Sequence, residues 1–334
     1  NADGIEKPIL LSDLLKMGRE LRKKGDNRVE ERMSQIQQDD LFTLIYTSGT
    51  TGSPKGVMLT HGNLLSQYRN TPVKISTSDR ALSILPVWHI FERAFEMLTL
   101  ANGACTYYTN IRNIKEDMQI VKPTIMASAP RLWESIYQGI GTNIEKSSLM
   151  KKGMFHIAYF FAKNFQEARR FLTSKEMKLR KSNFVLTFFR TLFEFGKLTL
   201  AVLPYLFFDF LVLSKIRKAT GGNLRGSVSG GGALPYHVDL FFNNIGIPVL
   251  EGYGMTETCP VISVRTFDEL VIGTVGRVID ETEIRIVDLN TGKVIYETGS
   301  KTGFGEKGEI HVKGPQVMKG YYKNPEATAK VLQN

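Results

Sequence analysis

From Thr47 to Lys55 the chain reads T-S-G-T-T-G-S-P-K, which places two glycines and five hydroxyl side chains ahead of one lysine. Glycines let neighbouring backbone N–H groups converge on one point. Hydroxyls add donors, and the lysine adds a compact positive charge. Such a set can hold phosphate groups. A surface turn needs Gly or Ser, but seldom this many donors together with a cation. The preceding Leu41–Tyr46 is apolar and rich in strand formers, so it reads as a buried strand that delivers the loop, which spans 46–57.

A Walker A motif needs Ser or Thr directly after its lysine, and Gly56 stands there instead. No H-R-D or D-F-G triplet follows, which excludes a protein-kinase glycine loop. Gly230-Gly231-Gly232-Ala233-Leu234 reads as a strand-to-helix turn. His89 follows Pro86 at the start of a helix, where the dipole disfavours imidazolium and suits a neutral donor. A structural histidine is the other reading. His61 reads as part of a helix entry with Asn63 as N-cap. His156, His237 and His311 receive no role.

These residues need a scaffold, and the pattern supplies one. Helix 5–24 is amphipathic, with Leu10, Leu14, Leu15 and Leu21 on one side. Short apolar strands at 81–85, 104–108, 125–127, 228–229 and 248–251 alternate with helices at 88–100, 114–121, 131–140 and 236–244. That alternation predicts a parallel α/β sheet with flanking helices. Beyond Gly273, runs 283–288 and 309–313 alternate polar and apolar residues, which predicts a small antiparallel β subdomain with one wet face. The expected domains are therefore 1–272 and 273–334.

The 334 residues are 42% hydrophobic and 23% charged, a globular composition. The two cysteines, Cys105 and Cys259, are far apart and lack a metal-ligand spacing, which points to a reducing compartment. The Asn-Ala-Asp-Gly start has no basic or apolar region of a signal peptide, and reads as a chain entered partway. The net charge of +10 is local. Residues 146–218 hold 15 Lys and Arg against four acids, and 13 of the 20 phenylalanines. This basic, aromatic stretch suits a membrane surface or a buried helical hairpin. Nucleic acid is the weakest reading, because no binding motif accompanies it. Within Phe184–Leu213, charged residues and Pro204 interrupt the apolar run, leaving Leu198–Phe208, short of the ~20 residues a span needs.

The 46–57 run resembles the phosphate loop of the adenylate-forming superfamily of acyl-CoA synthetases, luciferases and peptide-synthetase adenylation domains. Five further stretches resemble its motifs in order. They are Leu85-Pro86-Val87-Trp88-His89, Gly230–Leu234, Glu251-Gly252-Tyr253-Gly254-Met255-Thr256-Glu257-Thr258, Gly308–Pro315 and Gly320–Thr328. The resemblance implies activation of a carboxylate by ATP to acyl-AMP and pyrophosphate, followed by thioester formation.

It further implies roles for single residues. Lys55 with Thr47, Ser48, Gly49, Thr50, Thr51 and Gly52 would hold the β- and γ-phosphates. Thr256 would bond the α-phosphate and acyl oxygen, and His89 would donate near the substrate carboxylate. Thus Lys55, Thr256 and His89 are the expected catalytic set. Tyr253 would stack on adenine, which Gly231, Gly232 and Ala233 let approach, with Glu251 and Gly252 in the same nucleotide site. Mg2+ would sit on Thr47 and Glu257, hard oxygen ligands that suit it.

The 141–220 insertion resembles the long-chain fatty-acid branch, close to the acyl-[acyl-carrier-protein] synthetases. Expected partners are a long-chain fatty acid, ATP, coenzyme A or the phosphopantetheine of an acyl carrier protein, and an anionic membrane surface reached from the cytoplasm. Other acyl or aryl adenylators, or a non-catalytic membrane-binding remnant, are the rivals. The superfamily's T-G-D motif and mobile C-terminal domain lie past the matched residues, so the chain reads as part of a large N-terminal domain.

Overall fold

The computed structural model describes residues 9–47, 53–179, 183–300, 305 and 307–332. The chain forms two compact units, residues 1–40 and 41–334. In the first, α1 (Leu11–Lys23) and α2 (Arg28–Gln35) are joined by a short turn, and Arg22 pairs with Glu30.

The second unit opens with β1 (Leu41–Thr47) and β2 (Lys55–Thr60), which pair antiparallel with Thr47 opposite Lys55. Ile45 is the one buried residue of β1, so the predicted buried strand is only half covered. Helix α3 (His61–Asn70) follows without a loop. Thr60, not Asn63, is its N-cap. Thr60 accepts from Asn63 N at 3.2 Å, and Asn63 Oδ1 accepts from Thr60 N at 2.9 Å, a reciprocal capping box.

The alternation predicted from the sequence then appears as β3 (Arg80–Ser83), α4 (Ile90–Ala101), β4 (Cys105–Tyr108), α5 (Ile114–Val121), β5 (Ile125–Ser128) and α6 (Pro130–Glu145). A long excursion interrupts it: α7 (Leu149–Leu172), α8 (Phe184–Phe208), a π-helical turn at Asp209–Leu213, and α9 (Ser214–Lys218). The pattern resumes with β6 (Gly226–Ser229), α10 (Tyr236–Asn244) and β7 (Val249–Gly254), followed by β8 (Val261–Val264) and β9 (Arg277–Val278).

These strands make one seven-stranded sheet, in order β4-β3-β5-β6-β7-β8-β9. Pairing is parallel from β4 to β7 and antiparallel beyond. Alternate residues face opposite ways. Leu82, Met126 and Val249 enter a core with Trp133, Phe242 and Leu213. Ala81, Ile125 and Leu250 enter a second core with Phe95, Val264 and Ile279. Burial on both faces explains why β5 and β6 are buried throughout.

Past β9, strands β10 (Glu283–Val287), β11 (Val294–Glu297) and β12 (Glu309–Lys313) form a separate antiparallel sheet, as the alternating pattern predicted. Then β13 (Gly320–Tyr321) returns to pair with β2, and α11 (Pro325–Val331) ends the described chain.

The excursion differs from expectation in one respect. Pro204 and the charged residues do not break it. Phe184–Lys218 is one continuous helical run of 35 residues, long and apolar enough to cross a membrane by length and composition. A π turn follows at Asp209–Leu213, and Arg217 closes on Asp209 at 2.6 Å across it. Its inner seam packs on α7 through stacked pairs Phe165–Tyr205 and Phe161–Phe208. Its outer face is apolar and open: Phe184 is 84% exposed, Phe193 69% and Phe210 77%.

Candidate active site

Parallel strands point their carboxyl ends the same way, and a crevice at that edge is the usual place for a ligand in such sheets. His89 lies there after β3, Gly231–Ala233 after β6, and Tyr253 at the end of β7. Thr256 and Glu257 follow on a single 3-10 turn, Thr256–Thr258. Their placement follows from local sequence. Gly254 has no room for a side chain, since a Cβ would sit 1.9 Å from the Pro260 carbonyl oxygen, and this close approach folds the 3-10 turn back onto β7. Gly231 adopts φ +79°, with open space above it, so the turn presents bare backbone.

Strand β2 reaches the same region through β13. Lys55 Nζ lies 5.3 Å from the centre of the Tyr321 ring. The Tyr321 hydroxyl donates to Glu257 Oε1 at 2.8 Å. Met318 N donates to the Glu257 carbonyl at 2.8 Å. Thus Thr47, Lys55 and Glu257, far apart in sequence, belong to one local assembly. Ser48, Gly49, Thr50, Thr51 and Gly52 lie outside the described residues. Thr47 and Glu257 offer hard oxygens, and Tyr321 leaves Glu257 Oε2 for a further partner. That donor set fits Mg2+ once phosphate oxygens join it. Among the described residues no cluster of three His, Cys, Asp or Glu could hold a metal by itself.

The carboxylate of Glu251, a residue expected in the nucleotide site, is committed to the scaffold. Oε1 accepts from Leu234 N at 2.9 Å and Oε2 from Arg265 Nη2 at 2.8 Å. Arg265 is fully buried and also forks onto Asp239 at 2.8 and 3.0 Å. Through Leu234 this cluster holds the end of the Gly231–Ala233 turn in place. Sequence reading missed Arg265, although one arginine directly after the apolar β8 was a visible sign.

A cavity of about 380 Å³ opens between α3, α4 and β8, within the range of small-ligand pockets. Its wall is apolar, with Phe91, Phe95, Leu98, Leu64, Val261 and Val264. Phe91 lies two residues past His89, and Val261 four past Glu257. Gln67 on its rim is engaged with Val261 through hydrogen bonds in both directions.

Glu92 stands out nearby. It is fully buried, and neither carboxylate oxygen has a hydrogen-bond partner among the described residues. Ser83, the adjacent donor, gives its hydroxyl to Glu96 at 3.1 Å. Burial pushes the Glu92 carboxyl up to about 7, and the neighbouring Glu96 adds to it. A raised acid stabilises the folded state below its unfolded value near 4.5, and that contribution is lost as pH rises to about 7. The loss amounts to about 3 kcal/mol at most. Glu92→Gln should therefore flatten the fall in melting temperature between pH 5 and 8, and exceed wild type at pH 8 by about 1–2 kcal/mol, the buried amide still lacking partners. Parallel pH curves for the two proteins would refute this.

The AMP-binding enzyme family matches residues 2–322. The chain belongs to that family. A probable acyl-activating enzyme, chloroplastic, of Arabidopsis thaliana is 39% identical over 97% of this chain and 45% of its own length. A chloroplastic long-chain-fatty-acid–[acyl-carrier-protein] ligase of the same plant is 38% identical over 98% and 45%. The chain spans about half the length of the curated relatives it matches. In structure it resembles a long-chain-fatty-acid-CoA ligase of Archaeoglobus fulgidus, with TM-score 0.55, 19% identity, and coverage of 87% of this chain and 45% of that one. At that identity the likeness concerns the fold. The AMP-binding family fold is thus the one read from the sequence, a helix-flanked, largely parallel sheet with small antiparallel sheets beside it.

Proposed function

We propose that the protein activates a long-chain fatty acid with ATP and transfers the acyl group to a thiol, that of coenzyme A or of an acyl carrier protein. The observation that carries this is the apolar cavity of about 380 Å³ walled by Phe91, Phe95, Leu98 and Val261, on elements that follow His89 and Glu257 in the chain. A fatty carboxylate seated there has its chain in the cavity and its head in the crevice. One carboxylate oxygen attacks the α-phosphate of ATP and pyrophosphate leaves, which turns an oxide leaving group into AMP. A thiolate then attacks the acyl carbon and expels AMP. Lys55 would neutralise the outgoing phosphates, Thr256 would bond the α-phosphate, and His89 would donate to the carboxylate. Tyr253 and the 231–233 turn would hold adenine. Mg2+, held by Thr47 and Glu257, would supply charge neutralisation on the triphosphate. The test is fatty-acid-dependent pyrophosphate release over medium-chain, long-chain and aryl acids. Long-chain acids should give the highest rates. Preference for aryl or medium-chain acids would point to another adenylator, and no release with any acid to a non-catalytic protein.

The outer face of α8 supports a peripheral membrane site, where such an acid is dissolved. Phenylalanines there enter the interface while basic residues face anionic headgroups. Several of those bases already carry acids: Arg190 pairs with Glu176, and Lys197 with Glu167. The apolar contribution therefore leads, and each remaining cation adds about 1 kcal/mol at most. The protein should co-sediment with anionic vesicles more than with neutral ones, and added salt should reduce binding without abolishing it. Equal recovery on both vesicle types, unmoved by salt, would rule out this surface.

A further inference from the structure

We infer that Tyr321 is a positioning residue that locks the metal-binding carboxylate of Glu257 and the phosphate-binding ammonium of Lys55 into one geometry. The inference rests on the adenylating reading above and deepens it.

Tyr321 is 7% exposed, and its two polar ends are both engaged. The backbone N donates to Thr328 Oγ1 at 2.9 Å, which ties it to the middle of α11. The hydroxyl donates to Glu257 Oε1. On either side the same strand is stitched to β2: Lys319 N donates to Met58 O at 3.0 Å and Tyr322 N to Gly56 O at 2.7 Å. The ring therefore cannot drift from Lys55, which begins β2.

Three consequences follow from chemistry. A phenol donor on one carboxylate oxygen fixes the rotation of Glu257 and preserves its charge, so the other oxygen is aimed. The ring face attracts the ammonium of Lys55 and limits its sweep. Finally, main chain and side chain of Glu257 are held by one segment, Met318–Tyr321, so the metal carboxylate and the phosphate cation keep a constant spacing. Two charges that must meet a single Mg2+–triphosphate gain from arriving pre-arranged.

The experiment is calorimetric titration of ATP into the protein at a series of Mg2+ concentrations, with no acyl substrate present. Tyr321→Phe keeps the ring and removes the hydroxyl. It should raise the half-saturating Mg2+ about tenfold, the usual scale for loss of an outer-sphere partner. At saturating Mg2+ its ATP affinity should match wild type. Tyr321→Leu removes the ring as well and should also weaken ATP binding roughly threefold at saturating Mg2+. Glu257→Gln should already show the metal defect, and adding Tyr321→Phe to it should cost little more, because both act on one ligand. Melting curves without nucleotide report any general damage separately. Wild-type Mg2+ dependence in Tyr321→Phe, or full additivity with Glu257→Gln, would overturn the inference. If the unaltered protein binds ATP with no dependence on Mg2+, it is the adenylating reading that fails.

Discussion

Lys55→Ala should lower fatty-acid-dependent pyrophosphate release by one to two orders of magnitude while leaving the melting temperature close to wild type. The side chain is half-buried at the first residue of β2, opposite Thr47, and its ammonium rests against Tyr321. Among the described residues it has no acidic partner to leave stranded, so its removal spares the fold. What is lost is a charge-assisted contact to phosphate, about 1.5–3 kcal/mol. That is roughly a 10- to 150-fold effect on the rate if the contact is realised in the transition state. Lys55→Arg should not restore the rate, because a planar fork cannot replace a compact charge over a ring. Undiminished release by Lys55→Ala would remove this lysine from the phosphate site.

Arg265→Met should cost about 3–5 kcal/mol of stability, the largest single-residue loss expected in this fold. Two carboxylates, Asp239 and Glu251, share the one guanidinium, and both are buried. Methionine fills similar volume but leaves two acids facing each other without a cation. Each must then take up a proton or draw in water. Melting temperatures measured across pH check this: the defect should shrink in acid, where the orphaned acids are protonated. Asp239→Asn in the same chain should recover part of the loss, and a defect under 1 kcal/mol at neutral pH would contradict the ion cluster. Because Glu251 also holds Leu234, adenine-side binding should weaken alongside stability.

The parallel sheet was legible because each strand is a short apolar run and each helix a periodic one. β5 and β6 are all buried, and their Ile-Met-Ala-Ser and Gly-Ser-Val-Ser sequences still sat between recognisable helices. The pairing of β1 with β2 was not legible. Periodicity marks a strand but says nothing of its partner. Asn63 was taken for a cap because it is a good one, yet in a capping box the residue three positions earlier begins the helix. Pro204 alone predicts a break, yet α8 runs through it, with Tyr205 and Phe208 beyond it stacked on Phe165 and Phe161 of α7. In the site, motif residues were visible by type. Their outer partners, Arg265, Tyr321 and the unpaired Glu92, emerge only when distant segments meet.

The return of β13 to the edge of β2 has a consequence for how the chain comes to be made. Residues 55 and 321 are separated by most of the sequence, and the ribosome emits it from the N-terminal end. At 5–20 residues per second, the hairpin waits roughly ten to fifty seconds for its third strand. During that interval the backbone groups of Gly56 and Met58 that later accept from Tyr322 and Lys319 face outward on an open edge. The nascent protein thus passes through a period in which the β2 edge is an unprotected template for stray strands. Chaperone demand should peak there, and nonsense mutations that stop translation before Lys319 should yield aggregates rather than weakened enzyme.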